Sequence, residues 1–380
     1  MMSGVERALG TVRGEAPDKA PAYTPTIASD VAGKLLGHEV HTGGPGLWFA
    51  EAAAWSEGQA AWQAFDAGVM DDTIEMNRAL GLDVIRFPWR KNIRPTRRLD
   101  ETTFLCGDPE GEHTLWHWDE GAMNFVPSGG ERTGPRVEDW PRLARKAEAE
   151  VDRKVAEARE SFGVREARLQ ERVGDSMLVV GAAATLSLGL DEAQLLAPIL
   201  EPGAVDDILD CELAIGLAQI EAHAARGIKV VLTGGDMADK NGPIYSPELF
   251  RRFMLPRWRK VADRARELGV HLVWRSDGNL WKVSDMLFQE AGIPGYGEVD
   301  YDAGMTVSGI RERYPDLVLW ATLSGDLIRR GSAEEVYRHA AEALEAGDGR
   351  GIFHGCSNTI LPGTPPENVE AMMRARDDAT

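Results

Sequence analysis

His271-Leu-Val-Trp-Arg-Ser-Asp-Gly-Asn279 decides the fold: a short apolar run breaks off into a polar turn that contains glycine. The same figure recurs at Lys229-Val-Val-Leu-Thr-Gly-Gly-Asp236, where two glycines permit tight backbone geometry. Working outward, apolar runs at 20–26, 83–88, 176–183, 229–233, 271–274, 295–299, 317–322 and 351–354 predict strands. From the third onward, each is followed by a helix-length segment or a short connection. Strands alternating with helices imply a parallel sheet, and eight such units imply a single α/β domain, a (β/α)8 TIM barrel spanning residues 1–380.

Helix starts support that alternation. Ser246-Pro-Glu248 supplies an N-cap, a proline at the first helical position and an early acid. Ser332-Ala-Glu-Glu335 and Thr364-Pro-Pro-Glu367 have the spacing of capping boxes. Two stretches depart from the pattern. Residues 99–137 predict a β-hairpin insertion serving as a lid, through Thr114-Leu-Trp-His-Trp118 and Met123-Asn-Phe-Val126. Residues 140–173 carry dense alternating charge and predict a long exposed helix interrupted at Gly163.

The formal net charge of −19 disfavours polyanions, and no concentrated basic stripe argues for nucleic acid. Arg86-Phe-Pro-Trp-Arg90-Lys91, with Arg94, Arg97 and Arg98, is a local cluster: a solvated loop, or a grip on the anionic group of a small substrate. Three cysteines cannot build a disulfide framework, and no run approaches the roughly 18 apolar residues of a membrane helix. A cytoplasmic protein without membrane or nucleotide cofactor is the expectation.

Barrel enzymes carry function at the C-terminal ends of their strands. There the sequence places Asp236, Arg275, Asp277, Asn279, Glu298, Asp300, Asp326, His354, Cys356 and Asn358. Asp236 can bind a substrate amine, polarise a pyrrole N–H or hold a proton; it can equally cap a turn. Arg275 and Asp277, two apart, share a strand face, either gripping a substrate carboxylate or pairing to tie the rim together. Cys356 is a metal thiolate or a small buried apolar side chain. Trp89, Trp116, Trp118 and Trp274 are candidate walls for a planar substrate, or simply core.

Those residues bring a resemblance with them. Asp236-Met237 with Gly242-Pro-Ile-Tyr-Ser-Pro-Glu-Leu-Phe250, the strand running to Asn279, and Gly355-Cys356 with Leu361-Pro-Gly-Thr-Pro-Pro-Glu-Asn-Val369 resemble motifs of the uroporphyrinogen decarboxylase superfamily. The likeness is dense from Leu178 to Met373 and thin from Val31 to Val173. True haem-pathway decarboxylases carry an arginine-rich segment near the N-terminus. Here that region reads Ala22-Tyr-Thr-Pro-Thr-Ile-Ala-Ser-Asp30, without arginine. The chain is more similar to the corrinoid-linked methyltransferases and demethylases. That branch implies methyl transfer from an O- or N-methylated small molecule to a separate corrinoid protein. It also implies a zinc held by His-x-Cys, a glutamate and a late cysteine. Cys356 and Glu298 match the latter two, but Arg275-Ser276-Asp277 stands where His-x-Cys would be. The metal set left by the resemblance is Asp277, Glu298 and Cys356, with His354 nearby in sequence. On this reading Asp236, Arg275 and Asp277 are catalytic, and Arg86, Trp89, Trp118, Trp274 and Asn279 bind substrate. Cofactor-free decarboxylation of a non-porphyrin carboxylate and an inactive ligand-binding barrel are the alternatives.

Overall fold

The computed structural model describes residues 2–131 and 134–379. Arg132 and Thr133 of the expected insertion, and the expected domain's end residues Met1 and Thr380, lie outside the described residues. Among the described residues no helix is long and apolar enough to cross a membrane.

Strands form at the expected runs. Ile352–Phe353, Val318–Trp320, Gly295–Gly297, His271–Arg275, Val230–Gly234 and Gly181–Ala182 make one six-stranded sheet in that spatial order, parallel throughout. Val84–Ile85 pairs in parallel with Leu178–Val179. The first run departs from expectation: its ladder lies late, where Thr26–Ile27 pairs with Thr359–Ile360. Single bonds complete the circuit. Ala22 forms a parallel bridge with His354, and its carbonyl accepts from the backbone N–H groups of Asp83 and Val84. Eight segments are thus hydrogen-bonded in sequence and the last returns to the first, giving a TIM-barrel-like α/β fold whose continuous ladders cover only part of the ring.

Strand alternation sorts the core into two layers. Val230, Leu232, Val273, Val318, Trp320 and Phe353 fill the interior with Tyr23, Val84, Leu178 and Val180. Trp320 stacks flat on Phe353, with centroids 3.5 Å apart. The intervening residues Val231, Leu272, Trp274, Tyr296, Leu319 and Ile352 face the surrounding helices.

The capping serines of Ser246 and Ser332 act as read from sequence, Ser332 in a reciprocal box with Glu335. Thr364 does not. The paired prolines move the helix start to Pro366–Asp378 with Pro365 as its N-cap, and the Thr364 hydroxyl donates instead to the Leu361 carbonyl. The charged segment forms Trp140–Ser161 and Val164–Val173, separated at Gly163 (φ 77°), where a Cβ would meet His223 Nδ1 at 2.8 Å. It is less exposed than expected, since Trp140, Ala144 and Ala158 are buried and the helix packs along Pro202–Ala225.

The insertion is larger than a hairpin. Arg97–Arg98, Thr103–Gly107, His113–Asp119 and Asn124–Gly129 form a four-stranded antiparallel sheet. Phe104 and Phe125 pack with Ala52 and Ile93, flanked by Trp48 and Phe49 of helix Gly44–Glu57. This aromatic patch fixes the insertion to that helix.

Candidate functional site

Three neighbouring strand ends build the site. Strand Val230–Gly234 finishes at Gly234 (φ 105°), where a Cβ would lie 2.4 Å from the Arg275 carbonyl; only glycine lets the two strands run so close. Asp236 follows and is exposed at the mouth. Met237 N–H donates to Ser276 Oγ at 3.2 Å, tying this turn to the next. Beyond strand His271–Arg275, Gly278 (φ 88°) donates its N–H to Asp300 Oδ2 at 3.0 Å, and Asn279 N–H donates to the Asp239 carbonyl at 2.8 Å. Asp277 is therefore held from both sides. Glu298, directly after Gly295–Gly297, has φ 65° and is 5% exposed. Left-handed backbone at a non-glycine residue costs about 1–3 kcal/mol and persists where surrounding structure enforces it. Here it accompanies a buried acid at the barrel rim.

The side chains converge. Carboxylate oxygens of Asp236, Asp277 and Glu298 lie within 4.8 Å of one another. Arg275 Nη1 donates to Glu298 Oε1 at 3.1 Å, and Asn358 Nδ2 donates to Asp277 Oδ2 at 2.9 Å. Burial, then the charge of Glu298, pushes the Asp277 carboxyl up to about 7, against the opposing pull of Asn358. Burial also raises Glu298, opposed by Arg275. Burial disfavours the Arg275 cation, but Glu298, Tyr23, Asp236 and Asp277 outweigh it and its pKa rises. Arg86, just past strand Val84–Ile85, is lowered by burial; Tyr23 favours its charge and Arg275 opposes it. The result is a fixed ion pair, a carboxyl able to carry a proton at neutral pH, and a second guanidinium beside them. Such a set can donate a proton to a bound heteroatom and hold an anion.

Asp236, Arg275, Asp277 and Glu298 thus meet, and Arg86 lies within electrostatic reach of Arg275 and Glu298. Several expected partners do not join them. Trp274 is 1% exposed and packs edge-on against Trp258 at 4.5 Å, because alternation turns it outward to the helices while Arg275 turns inward. It is a core residue, not a substrate wall. Trp89 packs against Trp48 at 5.0 Å and Trp118 stacks on Phe49 at 5.1 Å, both on helix Gly44–Glu57. Trp118 lines a cleft of about 970 Å³ with Phe49, Phe65 and His41, and none of the three carboxylates borders it. Asn279 Oδ1 accepts from the Trp281 N–H, a turn-capping bond.

The expected metal set also divides. Asp277 and Glu298 come together with Asp236, whereas Cys356 is fully buried, packs in an apolar cluster with Leu323, Ile328 and Ile360, and stands outside the trio. Burial pushes its thiol up to about 12. His354 Nε2 bonds the Met372 carbonyl, and burial holds the ring down to about 4. A zinc of the thiolate–imidazole kind needs an ionised thiol and a neutral imidazole. Cys356 packs in an apolar cluster outside the carboxylate trio, and a guanidinium already bonded to Glu298 stands in the imidazole's place. These residues do not fit that metal.

Sequence reasoning missed Tyr23 as a site residue and gave Asn358 no role. Tyr23 sits inside the barrel, its ring edge-on to Trp320 at 5.5 Å and its hydroxyl oxygen facing Arg86, while its O–H has no acceptor among the described residues. A phenol in an otherwise apolar strand, on the inward parity, was the available signal.

Comparisons agree with this architecture. Curated proteins give no match by sequence. Among solved structures, a methyltransferase from Methanosarcina mazei superimposes with a TM-score of 0.64 at 18% identity, covering 100% of this chain and 99% of that one. That similarity establishes a shared fold. A D-psicose 3-epimerase solved with D-fructose matches more distantly, with a TM-score of 0.37 at 12% identity over 63% of this chain and 92% of that one. The uroporphyrinogen decarboxylase (URO-D) family model matches residues 138–379, which contain the three carboxylates, Arg275 and Asn358. By that match, over well more than half its length, the chain belongs to the URO-D family.

Proposed function

We propose that the chain is a methyltransferase or demethylase that moves a methyl group from an O- or N-methylated small molecule to a separate corrinoid protein. One observation carries this: a carboxyl held near neutrality, Asp277, beside an exposed acid, Asp236, at a barrel mouth. Breaking a CH3–O or CH3–N bond expels a poor leaving group, and a positioned acid removes that obstacle. The corrinoid supplies the nucleophile that accepts the methyl. Asp277 gives its proton to the departing heteroatom as the bond to carbon breaks, so the product leaves as a neutral hydroxyl or amine. Arg275, which interacts favourably with ionised Asp277, stabilises the carboxylate left behind. Solvent reaches the mouth beside exposed Asp236 and restores the proton. The full-length likeness to a methyltransferase fold is consistent with this reading.

Cofactor-free decarboxylation is a second reading, favoured by the two guanidiniums at the mouth. One assay separates them. The protein is incubated with methoxylated and N-methylated acids, with and without reduced cobalamin standing in for the corrinoid protein. We expect demethylated product only when cobalamin is added. Release of labelled CO2 without cobalamin, and no demethylation with it, would replace the first reading with the second.

A further inference from the structure

Arg86 donates from Nε to the Phe87 carbonyl at 3.1 Å and faces the Tyr23 hydroxyl, but it makes no ion pair among the described residues. It is only partly exposed, at the end of strand Val84–Ile85. The acid whose charge reaches it, Glu298, is already bonded to Arg275. A guanidinium withdrawn from water without a counter-charge is costly, and the usual resolution is an anion. A second, independent observation lies beside it. Tyr23 is 1% exposed and its hydroxyl oxygen faces the Arg86 guanidinium, yet its O–H has no acceptor among the described residues. A buried O–H that donates to nothing costs about 1–3 kcal/mol, so its retention here marks a donor kept for a ligand.

The charges of the mouth are also arranged with a direction. Asp236 and Asp277 interact with Arg275, and Arg275 and Tyr23 interact with Arg86. Tyr23 and Arg86 come from the first and second segments of the ring and Asp236 and Asp277 from the fourth and fifth, while the Arg275–Glu298 pair interacts with both groups. We infer that Arg86 and Tyr23 form a carboxylate-binding subsite, so that the methyl donor is an acid whose methylated heteroatom lies at the end away from its carboxylate. Arg86 would take the carboxylate through its guanidinium and Tyr23 would donate to one oxygen. The Arg275–Glu298 pair is internally neutral and leaves Arg86 free to take that anion.

This deepens the methyl-transfer reading and rests on it for the word donor, but the subsite can be tested without turnover. Calorimetry on the purified protein measures binding of 4-methoxybenzoate and N,N-dimethylglycine against their carboxamides, and of inorganic phosphate. We expect at least one carboxylate to bind at least tenfold more tightly than its amide. Arg86→Gln should abolish that preference. Tyr23→Phe, which removes only the hydroxyl and keeps the ring packed on Trp320, should reduce it several-fold without lowering the melting temperature. Phosphate binding tighter than either carboxylate would overturn the assignment in favour of a phosphate site. Equal binding of acid and amide, or a preference that survives in Arg86→Gln and Tyr23→Phe, would also overturn it. Absence of cobalamin-dependent demethylation, with the carboxylate preference intact, would instead count against the methyl-transfer reading alone.

Discussion

Asp277→Asn is expected to lower turnover by about a hundredfold or more, the usual contribution of a positioned general acid, while the fold is retained. An amide matches the carboxyl in shape and can still accept from Asn358 Nδ2, so the loss should fall on kcat rather than on substrate binding. The same substitution should change how stability depends on pH. The Asp277 pKa is raised from 3.8 to about 7, so the folded state holds a proton that the unfolded chain releases. The stabilising contribution is therefore complete below about pH 4 and is lost as pH rises through 7. Wild type should lose stability across that window, and Asp277→Asn should lose less, becoming the more stable protein at pH 8. Turnover in wild type should fall on the same rising limb, because only the protonated acid donates. Thermal melts and kcat profiles from pH 5 to 9 check both; parallel profiles in the two proteins would remove Asp277 from the role of acid.

Asp83→Ala is expected to cost about 3–5 kcal/mol of stability, the effect of removing one partner from a buried charge network. Asp83 sits where the first, second and last segments of the chain meet. It accepts from Arg7 Nη1 at 2.6 Å, from Arg376, and from the Ala22 N–H at 2.8 Å. Arg7, Asp83 and Arg376 are 4%, 5% and 3% exposed, so truncation strands two guanidiniums away from water. Arg7 keeps Asp18, and Arg376 keeps the Ala20 and Gly81 carbonyls, which should prevent complete unfolding. Because Asp83 anchors the junction where ladders give way to single bonds, its loss tests whether that seam is held by charge. Denaturant titration should show a midpoint far below wild type; a cost under about 1 kcal/mol would mean that packing alone closes the ring.

Much of this was legible in the sequence, for definite reasons. Strand positions could be read because apolar runs ending in glycine and polar residues are the local signature of a parallel strand handing over to a loop. The meeting of Asp236, Arg275, Asp277 and Glu298 followed from parallel strands delivering their C-terminal ends to one rim. What escaped was orientation. Trp274 and Arg275 are adjacent, and only the parity of the strand decides that the arginine enters the barrel while the tryptophan leaves it. Cys356 follows the last strand, as a ligand would, but its side chain turns into an apolar cluster with Ile328 and Ile360, a tertiary outcome no spacing encodes. The insertion gained two strands over the expected hairpin because Arg97–Arg98 and Thr103–Gly107 lack strong apolar alternation and are defined by pairing with His113–Asp119 and each other. Tyr23 escaped because a tyrosine in a strand is usually core, and only its undonated O–H beside Arg86 marks it out.

Burial beside Glu298 raises the Asp277 carboxyl to about 7, so that it carries a proton near neutral pH at the barrel mouth. Carbon-13 NMR of protein labelled at the aspartate side-chain carboxyl, titrated from pH 3 to 9 and compared with Asp277→Asn, measures it directly. One resonance should titrate near pH 7 in wild type and be missing from the variant. An Asp277 resonance that titrates near 4, with the ordinary carboxylates, would contradict the account.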